Sequence, residues 1–213
     1  MPTLAECNAL FEDHKVILNG HKFFYRIANP HAKKTIIMVH GITGASYAML
    51  LAGGMWAKHG FRVILPDLPG HGFSPRLEVE AFSDLADWLN HFIAKLVPAT
   101  QPYALVGNSF GSAVCFDAVA RHGLPEQAHL ILGCPTPTVG AVGRMLHNMS
   151  QVVPTRIAKR LYYNRVADHV RVRYLLAQTR NKTMVKLLRE ALQYETPLIQ
   201  HNFVPKIMHM LLK

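Results

Sequence analysis

Apolar and polar positions along this chain fall into two periods. Residues 14–29, HKVILNGHKFFYRIAN, hold two runs of apolar, β-branched or aromatic residues on either side of Asn19-Gly20. An Asn-Gly pair between such runs predicts an antiparallel hairpin, because both positions tolerate positive φ. Apolar runs at 34–41 (KTIIMVHG), 61–68 (FRVILPDL), 103–106 and 129–134 predict strands. Between them, residues 45–59 have helix-forming composition, and 110–122 read as a further helix. Residues 78–97 carry Phe82, Leu85, Leu89, Phe92, Ile93 and Leu96 at helical spacing, the pattern of an amphipathic helix. Strands alternating with helices predict an α/β fold: a mostly parallel sheet with helices on both faces, opened by the N-terminal β-hairpin. From Pro135 the alternation stops. Residues 141–213 have helical composition with breaks near Pro154, Asn181, Pro197 and Pro205. The expected division is residues 1–137 as the core with strands one to six, 138–195 as a helical cap, and 196–213 as a return to the core.

Length and composition narrow the class. A chain of 213 residues, half of them apolar and 17% charged, suits one soluble globular domain, or one domain carrying an insertion. No apolar run approaches the roughly 18–20 residues of a membrane span. The N-terminus, MPTLAECNALFEDH, has acidic residues where a signal peptide would be basic, and no apolar segment follows, so a cytoplasmic location is expected. Cys7, Cys115 and Cys134 have no metal-ligand spacing and read as reduced thiols. The net charge of +10 sits on residues 141–213, where thirteen Lys and Arg face Asp168, Glu190 and Glu195; residues 1–140 hold ten of each sign. A basic cap of this kind implies weak attraction to anionic surfaces, with a solvated basic face as the simpler account. Nucleic acid is not an expected partner, because no nucleic-acid motif is present and few stacking aromatics, such as Tyr162, Tyr163 and Tyr174, are interleaved with the basic residues.

The chemistry-bearing stretch is 104–115, ALVGNSFGSAVC. An apolar run enters Gly107-Asn108-Ser109-Phe110-Gly111, and a run of small residues leaves it. Strand, sharp turn and helix around Gly-x-Ser-x-Gly make the context of a nucleophile elbow. The spacing has a steric reason. The turn holds the serine in a strained backbone conformation, so the residues two places away on each side must be small.

Three motifs in order give the chain a resemblance to the α/β-hydrolase family over about residues 14–213. They are His40-Gly41-Ile42-Thr43-Gly44 after one strand, Asp67-x-x-Gly70-x-Gly72-x-Ser74 after the next, and Gly107-Asn-Ser-Phe-Gly111. The resemblance implies that Ser109 attacks a carbonyl and forms an acyl-enzyme on a small-molecule ester-type substrate. It implies an oxyanion hole made by the backbone N–H groups of Ile42 and Phe110, and a reaction needing neither cofactor nor metal. Asp67, His71 and Ser74 are expected to hold the conformation of their turn, and His40 that of its own loop. Helices inserted after the sixth strand cap the site in such proteins, and Met145, Met149, Val152, Leu161, Tyr162 and Tyr163 are available to line a pocket there or to form the cap's own core.

The resemblance leaves two alternatives beside ester hydrolysis. The spelling GNSFG also looks like the elbow of carbon–carbon bond hydrolases of ring-cleavage products. The family's triad runs Ser, then Asp or Glu, then His, and the chain is expected to end before the strands that carry the acid and the histidine. Thr196–Gln200 lacks the family's acidic ending, and His147, His169, His201 and His209 are not in the family's position for the base. A catalytically incomplete fragment or pseudoenzyme is therefore the third reading. Its structural corollary is that residues 129–134 form an exposed apolar edge, prone to aggregation or in need of a partner strand.

Overall fold

The structure, a computed structural model, describes residues 2–42, 44–77 and 81–133. The expected cap at 138–195, the return segment 196–213, and Cys134 with the pocket residues and histidines named beyond it lie outside the described residues.

The chain opens with α1 (Leu4–Asn8), a short helix absent from the sequence expectation. The Thr3 hydroxyl accepts from the Glu6 N–H at 3.2 Å while the Glu6 carboxylate accepts from the Thr3 N–H at 3.0 Å, a reciprocal cap. The predicted hairpin follows as β1 (Glu12–Leu18) and β2 (His21–Ala28), with Leu18 opposite His21. Asn19 at φ 48° and Gly20 at φ 80° make the turn between them, as their residue types require. After β3 (Thr35–Val39), Ser46–Met49 form a 3₁₀ turn that continues into α2 (Leu50–Lys58). There follow β4 (Arg62–Pro66), α3 (Ser83–Leu96), β5 (Tyr103–Asn108), α4 (Phe110–His122) and β6 (Ala128–Gly133).

The six strands make one sheet in the order β1-β2-β4-β3-β5-β6. The hairpin joins antiparallel through β2 and β4, and the β4–β3, β3–β5 and β5–β6 pairs are parallel. Both faces are covered, which explains why the central strands are apolar without alternation. On one face Ile37, Val39, Ile64 and Leu105 pack with Leu85, Leu89, Phe92, Val114 and Cys115 of α3 and α4. On the other, Ile36, Met38, Val63 and Leu65 pack with Leu4, Leu50 and Ala57 of α1 and α2. β6 is the last strand of the described sheet, and its Ile131 is 51% exposed.

Three parallel strands end at the same edge. β3, β4 and β5 bring the three sequence motifs there, one after each strand. The sheet thus collects motifs that begin at His40, Asp67 and Gly107 into one locus.

Candidate active site

Ser109 stands between the last residue of β5 and the first of α4, with φ 52° and ψ −116°. Positive φ is uncommon for a residue with a Cβ and costs of order 1–3 kcal/mol where the surroundings enforce it. Here they do. The Ser109 N–H donates to the Gly133 carbonyl at 2.8 Å, and the Ser109 carbonyl accepts from the Ser112 N–H at 2.9 Å. Ser112 Oγ lies 2.8 Å from both the Gly107 and the Gly133 carbonyl oxygens. The turn is therefore fastened to β6 as well as to its own helix.

The flanking glycines are a steric necessity. A Cβ on Gly107 would lie 2.5 Å from Ser112 Cα and 2.6 Å from the Gly111 carbonyl oxygen. One on Gly111 would lie 2.6 Å from the His40 carbonyl oxygen and would run into the Val39 carbonyl as well. All of these are main-chain atoms, which have no rotamer with which to retreat. The close approach of α4 to the end of β3 also carries the His40–Ile42 loop up to the serine: a Cβ on Gly41 would sit 3.6 Å from Ser109 Cβ.

The three residues expected at the site are therefore neighbours in structure. Ser109 is partly exposed at the N-terminus of a 13-residue helix, where the helix dipole favours developing negative charge. Phe110 is the first helical residue, so its N–H has no carbonyl to meet within the helix. Ile42 follows Gly41, half-buried, with its carbonyl 2.8 Å from His71 Nε2.

The second motif holds this arrangement in place, as expected for it. Asp67 is fully buried and accepts the Ser46 N–H on Oδ1 at 2.6 Å and the Phe73 N–H on Oδ2 at 2.9 Å. Burial pushes its pKa up to about 6 against those two bonds. Gly72, at φ 50°, lies so close to the Asp67 carboxylate that a side chain there would collide with it. Ser74 Oγ donates to the Asp67 carbonyl at 2.7 Å and accepts the Phe24 N–H at 3.0 Å, linking the turn to β2.

Both histidines of the motifs are spent on main-chain partners. His40 Nε2 accepts the Leu68 N–H at 3.1 Å, so its proton is on Nδ1, which donates to the Gly41 carbonyl at 2.8 Å. Burial, then the neighbouring His71, pushes its pKa down to about 3, which keeps it neutral. The His71 ring nitrogens lie 3.0 Å from the Pro69 carbonyl and 2.8 Å from that of Ile42, and burial lowers its pKa too. Its ring stacks on Phe110 at 6.3 Å, so one side chain touches both residues expected to supply oxyanion donors. Sequence reasoning placed His71 in the turn but not in these contacts, because its partner Ile42 is distant in the chain.

Among the described residues, no cluster of three or more His, Cys, Asp or Glu is placed to hold a metal ion. No described helix is long and apolar enough to cross a membrane.

A serine on a strained strand-to-helix turn, at the carboxyl end of the parallel strands of a sheet covered on both faces, defines the class. The sequence profile of the alpha/beta hydrolase fold family matches residues 34–169. Curated relatives include phospholipase YtpA of Bacillus subtilis, 29% identical over 47% of this chain and 39% of its own length. They also include the thermostable monoacylglycerol lipase of Bacillus sp. strain H-257, 25% identical over 78% of this chain and 70% of its own. Epoxide hydrolase 1 of Sus scrofa is 32% identical over 38% of this chain and 20% of its own length. The chain thus spans well under half of two of these relatives. Among solved structures, a bacterial membrane phospholipase A superposes with a TM-score of 0.69 at 18% identity, over 96% of this chain and 64% of that one. The epoxide hydrolase CorEH gives 0.67 at 16%, over 95% and 74%. The chain belongs to the alpha/beta hydrolase fold family.

Proposed function

We propose that this protein is a serine hydrolase that cleaves a carboxylic ester of a small molecule through an acyl-enzyme on Ser109. One observation carries the reading: a non-glycine residue held at positive φ by a cleft that only Gly107 and Gly111 fit, with the Gly41–Ile42 loop against it. Such strain is maintained where it serves a purpose, and here it presents a hydroxyl at the sheet edge.

Ser109 Oγ bonds to the ester carbonyl carbon as its proton passes to a base. The carbonyl π electrons move to oxygen, where the N–H groups of Phe110 and Ile42 receive the charge, a contribution of ~3 kcal/mol per donor. Collapse breaks the bond to the leaving oxygen, which takes up the proton, and water repeats the sequence to release the acid. His40 and His71 do not serve as the base, because their ring nitrogens are engaged with main-chain groups. Similarity to a phospholipase and to a monoacylglycerol lipase favours an ester over the carbon–carbon bond alternative.

Labelling of the full chain with a fluorophosphonate, read by intact mass, tests this. One adduct on the wild type and none on Ser109→Ala is the expected result. An adduct that persists in Ser109→Ala would remove Ser109 as nucleophile. A folded wild type that stays unlabelled would support the catalytically incomplete alternative.

A further inference from the structure

The hairpin is longer than the strand it joins. β2 pairs with β4 from Tyr25, opposite Pro66, to Ala28, opposite Val63. Because the two strands are antiparallel, His21–Phe24 run on past the carboxyl end of β4, and β1 runs with them. The tip of the hairpin therefore overhangs the edge of the sheet from which Ser109 emerges.

One face of that overhang has an unusual make-up. Side chains directly opposite in an antiparallel pair share a face, which places Lys15 with Phe24 and Ile17 with Lys22. Phe73 packs against Phe24 in a tilted arrangement, 5.0 Å between centroids, and is itself 54% exposed; Ile17 is 59% exposed. Lys15 and Lys22 are exposed and make no ion pair among the described residues. The outward position of Phe73 is built in. Its N–H is held by Asp67 Oδ2, and Gly72 beside it packs against the same carboxylate. A rigid turn thus displays a phenyl ring to water beside an isoleucine and two lysines.

We propose that this face, formed by the hairpin overhang and Phe73, docks the protein on an anionic lipid bilayer. Apolar side chains flanked by lysines match the headgroup boundary, where rings and aliphatic chains enter the acyl region while ammonium groups meet phosphate. An acidic protein partner would satisfy the lysines but leave Ile17 and Phe73 without a matched surface. The location gives the docking a use, which rests on the reading of Ser109 as nucleophile: a bilayer against this face lies at the active-site edge and presents lipid esters to it. The binding itself is independent of that reading.

The test is co-sedimentation of the full chain, as wild type and as Ser109→Ala, with phosphatidylglycerol-containing vesicles and with pure phosphatidylcholine vesicles. Both forms should partition onto the anionic vesicles and only weakly onto the neutral ones. Lys15→Gln and Lys22→Gln should each lower the partition coefficient about fivefold, and Ile17→Ser should lower it as well. Ile17→Trp should raise it, since Trp favours the membrane interface. An unchanged urea midpoint in Ile17→Trp separates that gain from unfolding. Hydrolysis of a soluble short-chain ester should not change in the Ile17 or lysine variants. The proposal fails if the wild type does not bind anionic vesicles. It fails too if the hairpin variants bind equally well while Lys159→Gln/Arg160→Gln abolishes binding, or if light scattering shows that Ile17→Ser instead dissolves a dimer. Loss of ester hydrolysis in Ser109→Ala with vesicle binding intact separates the two readings.

Discussion

Replacing Gly111 by alanine adds one methyl group at the place where α4 touches β3. The new Cβ would stand 2.6 Å from the His40 carbonyl oxygen and 2.8 Å from the Val39 carbonyl carbon. Nonbonded carbons settle at about 3.5–4.0 Å, so helix and strand must part by roughly 1 Å. Neither can do so alone. Val39 is buried and paired with Gly107, and the elbow is tied to Gly133 by the Ser109 N–H. Overpacking usually costs about 1–3 kcal/mol, and a contact made only of main chain belongs at the upper end. Against a domain stability of about 5–15 kcal/mol, a loss near 3 kcal/mol is large but survivable. Displacing the nucleophile by that distance from the His40–Ile42 loop should also slow its reaction about 100-fold. Urea unfolding of the full chain reads the first effect, and the rate of fluorophosphonate labelling at Ser109 reads the second. Gly133→Ala is the control: its nearest neighbour is at 3.4 Å, an ordinary contact, so its urea midpoint should move by less than about 0.5 kcal/mol equivalent. A Gly111→Ala protein with wild-type midpoint and wild-type labelling rate would refute the claim that the glycine is there to let strand and helix meet.

Two further outcomes follow from the buried charges. Asp67 has a folded pKa of about 6 against an ordinary value of 3.8, so its contribution is fully present below pH 3.8 and is lost as pH rises through about 6. His40, pushed down to about 3, acts oppositely, giving stability that is present above its ordinary 6.5 and lost as pH falls. In the wild type the two slopes largely offset between pH 6 and 4. Asp67→Asn should therefore lose stability more steeply on acidification, by roughly 3 kcal/mol across that window relative to its own value at pH 7; parallel urea midpoints for the two proteins would contradict this. Arg26, in β2, is buried with its guanidinium 3.9 Å above the Tyr47 ring, and it bonds the Asn8 side chain, the Tyr47 hydroxyl and Asp13. Arg26→Ala should cost about 3 kcal/mol in urea unfolding, with Arg26→Met recovering part through its apolar stem; an equal loss in both would show that the charge, and not the stem, matters.

What could be read from sequence was what local sterics dictate. Asn19-Gly20 and Gly107-x-Ser109-x-Gly111 specify backbone conformations that few other residues adopt, and both formed as read. Apolar runs gave the strands to within a residue or two at most ends. The misses are non-local or too short for a period. α1 is five residues long, and its only signal was the Thr3–Glu6 capping pair. The expected helix over 45–59 begins as a 3₁₀ turn whose Ser46 N–H is claimed by Asp67, twenty-one residues downstream. Arg26 sits in a strand pattern that gives no hint of a cation stacked on Tyr47. The order β2-β4-β3-β5 depends on crossovers that periodicity does not encode.

The double attachment of Gly133 has a consequence for the turn beside it. Its carbonyl is held at 2.8 Å by both the Ser109 N–H and Ser112 Oγ, so the polypeptide leaves the sheet from a fixed port beside the Ser109 hydroxyl. The turn that aims the serine is thereby pinned to the end of β6 by two bonds to one carbonyl. On the reading of Ser109 as nucleophile, the aim of its hydroxyl is then a property of the six residues from Gly107 to Ser112 and of the Gly133 carbonyl that fastens them.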